Sequence, residues 1–362
     1  MWEIPPVESL KDAINHPTYP IGMRMRAAYF LRQVHKDHPD DGALQQVVID
    51  TLARGLVNKD HGSLMRHEFA YVMGQLRDER CCPALEEALC QTSDCVMVRH
   101  EAAEALGAIG AKRSRPVLDS IVNGSRETPM ELVETCRLAL NVMEWREGGE
   151  DPDSIPAACA CMLNPYSSVD PAPPDPQHET MEFSELGDIL CDPAKPMFER
   201  YRAMFSLRNR GGELAVAQLC RALVKDQSSA LFRHEVAYVL GQLQHPDSVE
   251  ALEESLRRTD EHMMVRHESA EALGAIDGRW EDVEAILKEF TTDECDVVRE
   301  SCLVALDAAD YWGHNQSLAD DLADESIIAP AEDKIATSFA HQKADNRLVL
   351  NGHFNVKDTN QQ

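Results

Sequence analysis

The stretch RHEFAYVMGQL at residues 66–76 returns as RHEVAYVLGQL at residues 233–243, identical at nine of 11 positions. A second stretch, MVRHEAAEALGAI at 97–109, returns at 264–276 with 12 of 13 positions unchanged. The two stretches of each half place their histidines 33 residues apart, and both are repeated at an offset of 167 residues. A chain that repeats its own segments at a fixed offset is built from two homologous halves.

Each half contains a shorter repeat as well, which indicates the fold. ALEEAL at 84–89 returns as ALEESL at 251–256, at the same offset. Each half has room for four units of roughly 30 to 40 residues, each holding two amphipathic helical segments, and no segment alternates with the period of a strand. A two-helix unit cannot bury its apolar face alone, so such units stack, as in HEAT and armadillo arrays. We therefore predict an all-α fold, an α-solenoid of eight HEAT-like helical hairpins in two pseudo-symmetric halves.

Composition sets the domain boundaries. We predict an N-terminal half at residues 1–145 and a C-terminal half at 182–312, each of four HEAT-like repeats. Residues 146–181 are rich in Pro, Gly, Asp and Ser, which predicts a flexible, partly extended linker. Residues 313–362 have weak periodicity and many Asp, Asn and Gln, so we expect this tail to be largely disordered. We also expect bound metal ions to be the main link between the two halves, because both carry excess negative charge.

Charge and cysteine usage restrict the classes of partner. The formal net charge of −28 argues against nucleic acid and anionic membranes, and favours a cationic substrate or simply solubility. No apolar run approaches the ~18 residues that a spanning helix requires, and the N-terminal stretch lacks the features of a signal peptide. The 11 cysteines are unpatterned, which indicates a reducing intracellular compartment. We expect a cytoplasmic protein, with the nucleus as a second location.

The motif Arg-His-Glu carries the chemistry, and it occurs four times, at 66–68, 99–101, 233–235 and 266–268. On a helix, His67 shares a face with Ala70, Tyr71 and Gly74, whereas Glu68 points about 100° away. One helix therefore does not direct both side chains at one ion. Two stacked helices, with axes ~8–10 Å apart, can bring a histidine from each and a glutamate to one point. Each half then offers two histidines and two glutamates.

This set of residues indicates a metal centre. Two histidines and one carboxylate form the facial set of non-haem Fe(II) sites that activate oxygen. The motif contains no cysteine, which disfavours a structural zinc site. Two halves that face each other would hold two metal ions, each with open positions for oxygen or substrate. One carboxylate per half is left over, and it could bridge the ions, act as a base or receive a cation.

Packing is the alternative explanation, because repeat arrays reuse sequences that pack well. On that ground we assign the motif arginines to the scaffold, as partners for acidic side chains: Arg66, Arg99, Arg233 and Arg266. The histidines differ, since only the two central units of each half carry them. Our alignment places Ala27 and Ala203 at the histidine position of units one and five and Glu300 in unit eight, while unit four also lacks a histidine. A histidine kept only for stacking would not be restricted in this way. The remaining histidines are expected on the surface or in loops: His16, His35, His38, His61, His178, His245, His262, His314, His341 and His353.

Over residues 7–312, this pattern of eight units, four His-Glu pairs and a Pro-rich linker resembles the deoxyhypusine hydroxylase family. The resemblance implies a di-iron monooxygenase that hydroxylates the deoxyhypusine side chain on translation initiation factor 5A to form hypusine. It implies two iron ions (Fe2+/Fe3+), O2 as co-substrate and an external reductant. The motif positions carry the family's ligands over to two sets: His67, His100 and Glu101, and His234, His267 and Glu268. Glu68 and Glu235 would lie at the same metal centre with a catalytic role, positioning substrate or bridging water more than ligating iron directly.

The partner implied by the resemblance agrees with the charge. Its side chain is a long diamine-type cation on a basic loop, which a chain at −28 attracts with an association that weakens in salt. We expect a monomer that binds neither nucleic acid nor membrane. Two other functions stay open. The chain could be a non-enzymatic HEAT scaffold that uses its His-Glu pairs as polar contacts. It could also be a dinuclear metallohydrolase in which zinc or manganese activates water.

Overall fold

Helices alone build the fold in the computed structural model, which describes residues 4–125, 127–148, 164–166, 168–276 and 278–313. No strand occurs in these ranges. The helices are α1 Val7–Asn15, α2 Ile21–Asp37, α3 Gly42–Val57, α4 Gly62–Leu76, α5 Cys82–Cys90, α6 Val96–Ile109, α7 Arg115–Val122, α8 Met130–Glu147, α9 Phe183–Cys191, α10 Met197–Arg210, α11 Gly212–Lys225, α12 Ala230–Leu243, α13 Val249–Arg257, α14 Met263–Ala275, α15 Trp280–Glu289 and α16 Asp296–Gly313. Consecutive helices pair into eight hairpins, which confirms the predicted α-solenoid. The expected tail at 314–362 lies outside the described residues.

The even-numbered helices form the inner layer of the array. Helix α4 packs on α6 and α6 on α8 in the first half, and α12, α14 and α16 stack in the same way in the second. The motif helices are enclosed on every side, so that each residue of α4 from Leu64 to Gly74 is buried. A helix surrounded in this way is normally apolar all round. The polar motif residues inside it must therefore find partners or ligands within the protein.

The glycine seven residues after each histidine sets the distance between inner helices. A Cβ built on Gly74 would lie 2.8 Å from the Ala105 Cα, and one on Gly107 would lie 2.8 Å from the Ala139 Cα. Neighbouring backbone occupies the space that a side chain would need, so only glycine allows this approach. Close stacking of α4, α6 and α8 in turn brings their motif side chains together.

Replacing Gly107 with Ala should lower the free energy of unfolding by about 1–3 kcal/mol, because the added methyl group overpacks the contact with Ala139. Urea denaturation monitored by circular dichroism measures the change. Gly42→Ala is the matched control, since a Cβ at Gly42 meets no atom within 4 Å. An equal effect of the two substitutions would show that helix spacing is not what fixes glycine at position 107.

The motif arginines join successive hairpins, as predicted. Arg66 donates through Nε to the carbonyl oxygen of Leu56 at 2.6 Å, at the end of the preceding helix. Its two Nη groups donate to Asp94 of the following unit at 2.7 and 2.5 Å. Related contacts recur along the array: Arg99 with the Leu89 carbonyl, Arg200 with the Leu190 carbonyl and Asp226, Arg233 with Glu261, and Arg266 with the Leu256 carbonyl and Asp293. The arginines therefore belong to the scaffold.

The same contacts correct the alignment of units one and five. Arg200 occupies the place of Arg66, so Tyr201 stands at the histidine position and the assignment of Ala203 was wrong. In unit one, Arg24 precedes Tyr29 by five residues, as Arg66 precedes Tyr71, so Met25 stands there and not Ala27. Each of these two units carries a second arginine two residues after the first, Arg26 and Arg202. Aligning the second arginine with Arg66 shifted the predicted histidine position by two residues. Neither unit has a histidine at the position, so the restriction to central units holds.

The two halves contact each other directly at both ends. Helix α8 packs against α10 and α12, and α16 packs against α2 and α4. At the first contact, Ser229 Oγ donates to Glu134 Oε2 at 2.7 Å, and at the second, Arg26 forms an ion pair with Asp307. The described helices thus close into a ring. Direct side-chain contacts join the halves, whereas the sequence led us to expect metal ions as their main link.

Part of the predicted linker is ordered against both halves. Residues 168–171, called the strap below, cross the face of the inner helices. The Val169 N–H donates to Gln75 Oε1 at 2.8 Å in the first half, and Gln242 Nε2 donates to Ser168 Oγ at 3.1 Å in the second. Gln75 and Gln242 are equivalent residues of the two repeats, so the strap spans the pseudo-two-fold axis. Residues 149–163 of the linker lie outside the described residues.

Within the described ranges, every helix is too short or too polar to cross a lipid bilayer.

Candidate metal centre

The four motif histidines converge between the halves. Each comes from a different inner helix (α4, α6, α12 or α14), and each is at most 5% exposed. Ring centroids are 5.5 Å apart for His67 and His100, 5.3 Å for His67 and His267, 5.3 Å for His100 and His234, and 5.3 Å for His234 and His267. The sequence predicted that stacked helices would pair histidines within a half. The ring closure brings the two pairs together into one cluster.

A glutamate joins each pair of histidines. Glu101 Oε2 lies 3.2 Å from His67 Nε2 and 4.0 Å from His100 Nε2. The second half repeats this arrangement, with Glu268 Oε2 3.5 Å from His234 Nε2 and 3.9 Å from His267 Nε2. Each half therefore presents two imidazoles and one carboxylate to a common point. The resemblance implied the same two sets as metal ligands, and their role stays a prediction, since potential ligand atoms of His67, His100 and His234 also lie within 4.8 Å of one another.

Several ligand atoms of this cluster lack hydrogen bonds. Among the described residues, neither ring nitrogen of His100 and neither carboxylate oxygen of Glu268 has a hydrogen-bond partner, although both side chains are at most 1% exposed. Burying polar atoms without a partner costs free energy, and native proteins rarely do so. A cation held between them would remove this cost. Ligand atoms of His234, His267 and Glu268 all lie within 4.8 Å of one another, as metal coordination requires. The residues present therefore fit a metal ion that prefers nitrogen and oxygen ligands.

Two of the imidazoles, His100 and His267, are held in the neutral form that binds metal, whereas Glu101 and Glu68 outweigh burial and raise the pKa of His67 well above its ordinary value. Burial and the neighbouring His67 lower the pKa of His100 well below its ordinary value. The same two causes lower the pKa of His267 to about 3. A neutral imidazole has a lone pair available for coordination, so these side chains need not lose a proton when an ion binds near neutral pH.

A small cavity, partly open to solvent, lies beside the cluster and is rich in carboxylates. Its lining consists of His67, Tyr71, Glu101, Glu104, Val169, Asp170, Pro171, His234, Glu235, Tyr238 and Glu268. Five of these residues are acidic, and no lysine or arginine of the described ranges lines the space. The hydroxyls of the equivalent residues Tyr71 and Tyr238 lie 3.3 Å apart on its wall. A cavity of this composition favours a cationic ligand with an extended apolar portion.

The two glutamates to which we assigned a catalytic role, Glu68 and Glu235, both lie at the centre but in different surroundings. Glu68 accepts a hydrogen bond from the Tyr29 hydroxyl at 2.6 Å, and its other oxygen lies 3.1 Å from His67 Nδ1. Glu235 lines the cavity, and burial and then the charge of Asp170 raise its pKa to about 8. Glu68 is therefore placed to orient His67, and Glu235 to meet a ligand in the cavity.

Sequence reasoning missed three acidic residues near the centre. Glu104 and Glu271 follow the second histidine of each half by four residues, and the repeat itself preserved them, so a search for His-Glu-x-x-Glu would have found both. Asp170 lies in the strap, where no repeat or motif marks it.

Two histidines were also misplaced. His61 and His178 are buried rather than superficial, because short 3-10 turns fold them against Arg24 and Ser206.

A closed α-solenoid that buries four histidines with their carboxylates defines a HEAT-repeat protein with a candidate dinuclear metal centre. Comparisons agree: a family model described as HEAT repeats matches residues 49–129 and 216–307. The chain is 45% identical over 305 residues to deoxyhypusine hydroxylase of Mus musculus, which covers 84% of this chain and 92% of the mouse protein. The enzyme of Chaetomium globosum is 42% identical over 318 residues, covering 86% and 90%. The structure of human deoxyhypusine hydroxylase in complex with glycerol superimposes with a TM-score of 0.73 at 41% identity, covering 84% of this chain and 96% of that chain. This chain belongs to the deoxyhypusine hydroxylase family.

Proposed function

We propose that the chain hydroxylates the deoxyhypusine side chain of translation initiation factor 5A, with two iron ions, O2 and an external reductant. Membership of the deoxyhypusine hydroxylase family supports the reaction. The observation that carries the metal assignment is the pair of equivalent sets, each of two buried histidines and a glutamate, together with the lack of hydrogen-bond partners for His100 and Glu268 among the described residues. Because one chain supplies both sets, we propose that a single chain is sufficient for activity and that the protein is a monomer. The relatives do not favour the scaffold or metallohydrolase alternatives.

Two sets of residues would hold the ions: His67, His100 and Glu101, and His234, His267 and Glu268. When bound, the iron supplies the activation of O2 that no side chain provides, since the carbon to be hydroxylated is unactivated. Non-haem iron suits this set of ligands, which has imidazole nitrogens and carboxylate oxygens but no thiolate.

The protein's own residues position the reactants. The carboxylates of the cavity attract the protonated amines of the substrate, and Glu235 contacts them directly. Glu68 holds the orientation of His67 from behind, with Tyr29 fixing its other oxygen. The imidazoles are at most 5% exposed and the strap roofs the cavity, so bulk water is kept from the reacting carbon.

Hydroxylation of the purified substrate protein under 18O2 gas tests this proposal. The enzyme is prepared without a histidine tag and reconstituted with iron anaerobically. Mass spectrometry should find one labelled oxygen atom on the substrate side chain, only when iron and reductant are present. Label taken from water would contradict the monooxygenase assignment, and binding of less than about one iron per chain would favour the scaffold.

A higher salt concentration should lower kcat/KM, because it weakens the binding of the substrate. Raising the ionic strength from about 0.05 to about 0.3 M is expected to lower kcat/KM several-fold with little change in kcat, because screening reduces the attraction between the acidic protein and a basic substrate loop. Steady-state kinetics with a deoxyhypusine peptide measures this. A peptide whose flanking basic residues are neutral should respond less. Equal salt dependence of the two peptides would show that the charge of the loop does not guide association.

A further inference from the structure

The pseudo-symmetry of the centre breaks at a second pair of glutamates. Glu104 and Glu271 occupy equivalent positions on α6 and α14. Glu104 lines the cavity together with Glu235, which belongs to the other half. Glu271 does not line the cavity, and its charge acts on Tyr29 together with that of Glu68. The centre therefore has two flanks of related composition, but only one of them opens on the cavity.

The flank with Glu68 and Glu271 is closed by hydroxyl groups. Ser301 Oγ donates to Glu271 Oε1 at 2.9 Å, and the same oxygen lies 3.6 Å from His267 Nδ1. On Glu68, the Tyr29 hydroxyl donates at 2.6 Å, and the carboxylate is fully buried. Both carboxylates are satisfied by the protein, so this flank has no need of a ligand.

The flank with Glu104 and Glu235 has lost both hydroxyl donors. Phe205 stands where the first half has Tyr29, so the ring carries no hydroxyl to donate. Thr135 stands where the second half has Ser301, and its hydroxyl donates to the carbonyl oxygen of Glu131 at 2.8 Å. Among the described residues, neither Glu104 nor Glu235 forms a hydrogen bond or a close ion pair, although Glu235 is only 3% exposed.

Glu235 is buried and Glu104 is half-buried, and two neighbouring carboxylates without donors from the described residues favour a cation that carries hydrogen-bond donors. A primary ammonium group has three N–H donors, enough to serve both. Val169 and Pro171 of the strap and the ring of Tyr238 supply apolar surface on the same cavity, where methylene groups would pack. The metal ligands Glu101 and Glu268 line the cavity as well, so a chain anchored at Glu104 stays beside the metal cluster.

Resting on the proposed function, we propose that Glu104, acting with Glu235 of the other half, binds the terminal ammonium group of the substrate side chain. The substrate is then held in one orientation, because the equivalent flank at Glu68 and Glu271 is already satisfied. A centre that is nearly two-fold symmetric thereby treats an unsymmetric substrate in one way only. Glu104 is a specificity-determining residue, whereas Ser301 and Tyr29 keep the opposite flank closed.

Glu104→Gln tests the proposal, with Glu87→Gln as the control that removes the same charge from an exposed position on the neighbouring helix α5. Binding of a fluorescent deoxyhypusine peptide to iron-loaded protein is measured by anisotropy without O2, so that no turnover occurs. The Kd should rise about 10- to 100-fold in Glu104→Gln, as expected for loss of a charge-assisted hydrogen bond. KM should rise by a similar factor with a smaller change in kcat, and Glu87→Gln should match the wild type.

A peptide acetylated on the terminal amine should bind the wild type as weakly as the unmodified peptide binds Glu104→Gln, and should not distinguish the two proteins. Glu104→Asp keeps the charge and should recover part of the affinity, which makes the test independent of any folding defect in the glutamine variant. An unchanged Kd in Glu104→Gln, or an aspartate variant no better than glutamine, overturns the proposal. So does a loss of iron from Glu104→Gln, since the residue would then be a metal ligand: its carboxylate lies within 4.8 Å of ligand atoms of His100 and Glu101. Failure of the wild type to hydroxylate the peptide would instead count against the proposed function.

Discussion

On the proposed function, replacing His100 with Ala should remove the proposed iron from the protein and reduce turnover to below about 1% of wild type, since loss of residues that only orient metal ligands already costs 10- to 100-fold. The His100 side chain is fully buried, and its ring nitrogens have no hydrogen-bond partner among the described residues. Truncation therefore breaks no protein hydrogen bond. Its main expected consequence is the loss of one nitrogen ligand from the proposed set with His67 and Glu101.

Two measurements separate this effect from misfolding. Iron per chain after anaerobic reconstitution should fall relative to wild type, while the far-ultraviolet circular dichroism of the variant should be nearly unchanged. His16→Ala is the control, because that imidazole is exposed, with an ion-pair contact to Asp12 at 3.1 Å and a ring contact to Tyr19. A His100→Ala variant that retained iron and turned over would show that the ligand assignment is wrong.

The Asp170→Ala variant should lose about 3–5 kcal/mol of folding free energy, because it leaves a buried charge on Arg208 without its counter-ion. The Arg208 guanidinium is 1% exposed, and its two Nη groups donate to the Asp170 oxygens at 2.8 and 2.6 Å. Gln242 and Asn209 also accept from Arg208, so the lower end of the range is expected. Asp170 fixes the strap together with the hydrogen bonds of Ser168 and Val169, so its loss should also loosen the roof of the cavity.

Urea denaturation of Asp170→Ala measures the loss. The control is Asp188→Ala, which breaks an ion pair with Arg221 of similar length, 2.9 Å, but on the surface, where the expected cost is below about 1 kcal/mol. Adding Arg208→Met to Asp170→Ala should recover much of the stability, since no unpaired charge then stays buried. If the single variant were as mild as Asp188→Ala, water rather than Asp170 would be satisfying the arginine.

The sequence predicted the fold because the fold is periodic. Each hairpin repeats the same apolar spacing, and the four Arg-His-Glu motifs keep one register on the inner helices. Their convergence into two histidine–glutamate sets follows from that register and from close stacking at residues such as Gly74. The alignment of the repeat units was wrong only in units one and five, where two arginines lie two residues apart. In unit one, Arg26 was aligned in place of Arg24.

What the sequence could not predict are the contacts that break the repeat. Asp170 reaches the cavity from a linker that has no counterpart in either half, so no internal comparison identifies it. The different surroundings of Glu68 and Glu235 depend on Tyr29 and Phe205, which approach from a neighbouring helix. A difference of one hydroxyl group is invisible to a hydrophobic pattern, because both residues are aromatic and both pack in the core.

The contacts of α8 with the second half and of α16 with the first have a consequence for how such a protein can evolve. Open solenoids leave a bare stacking surface at each terminus, and specialised capping units must cover it. Here the terminal helices of each half pack against the other half, so the described helices need no dedicated capping unit. The number of hairpins is consequently fixed by geometry. Inserting or deleting one would leave a gap or an overlap in the circle, so this architecture cannot lengthen unit by unit as open arrays do.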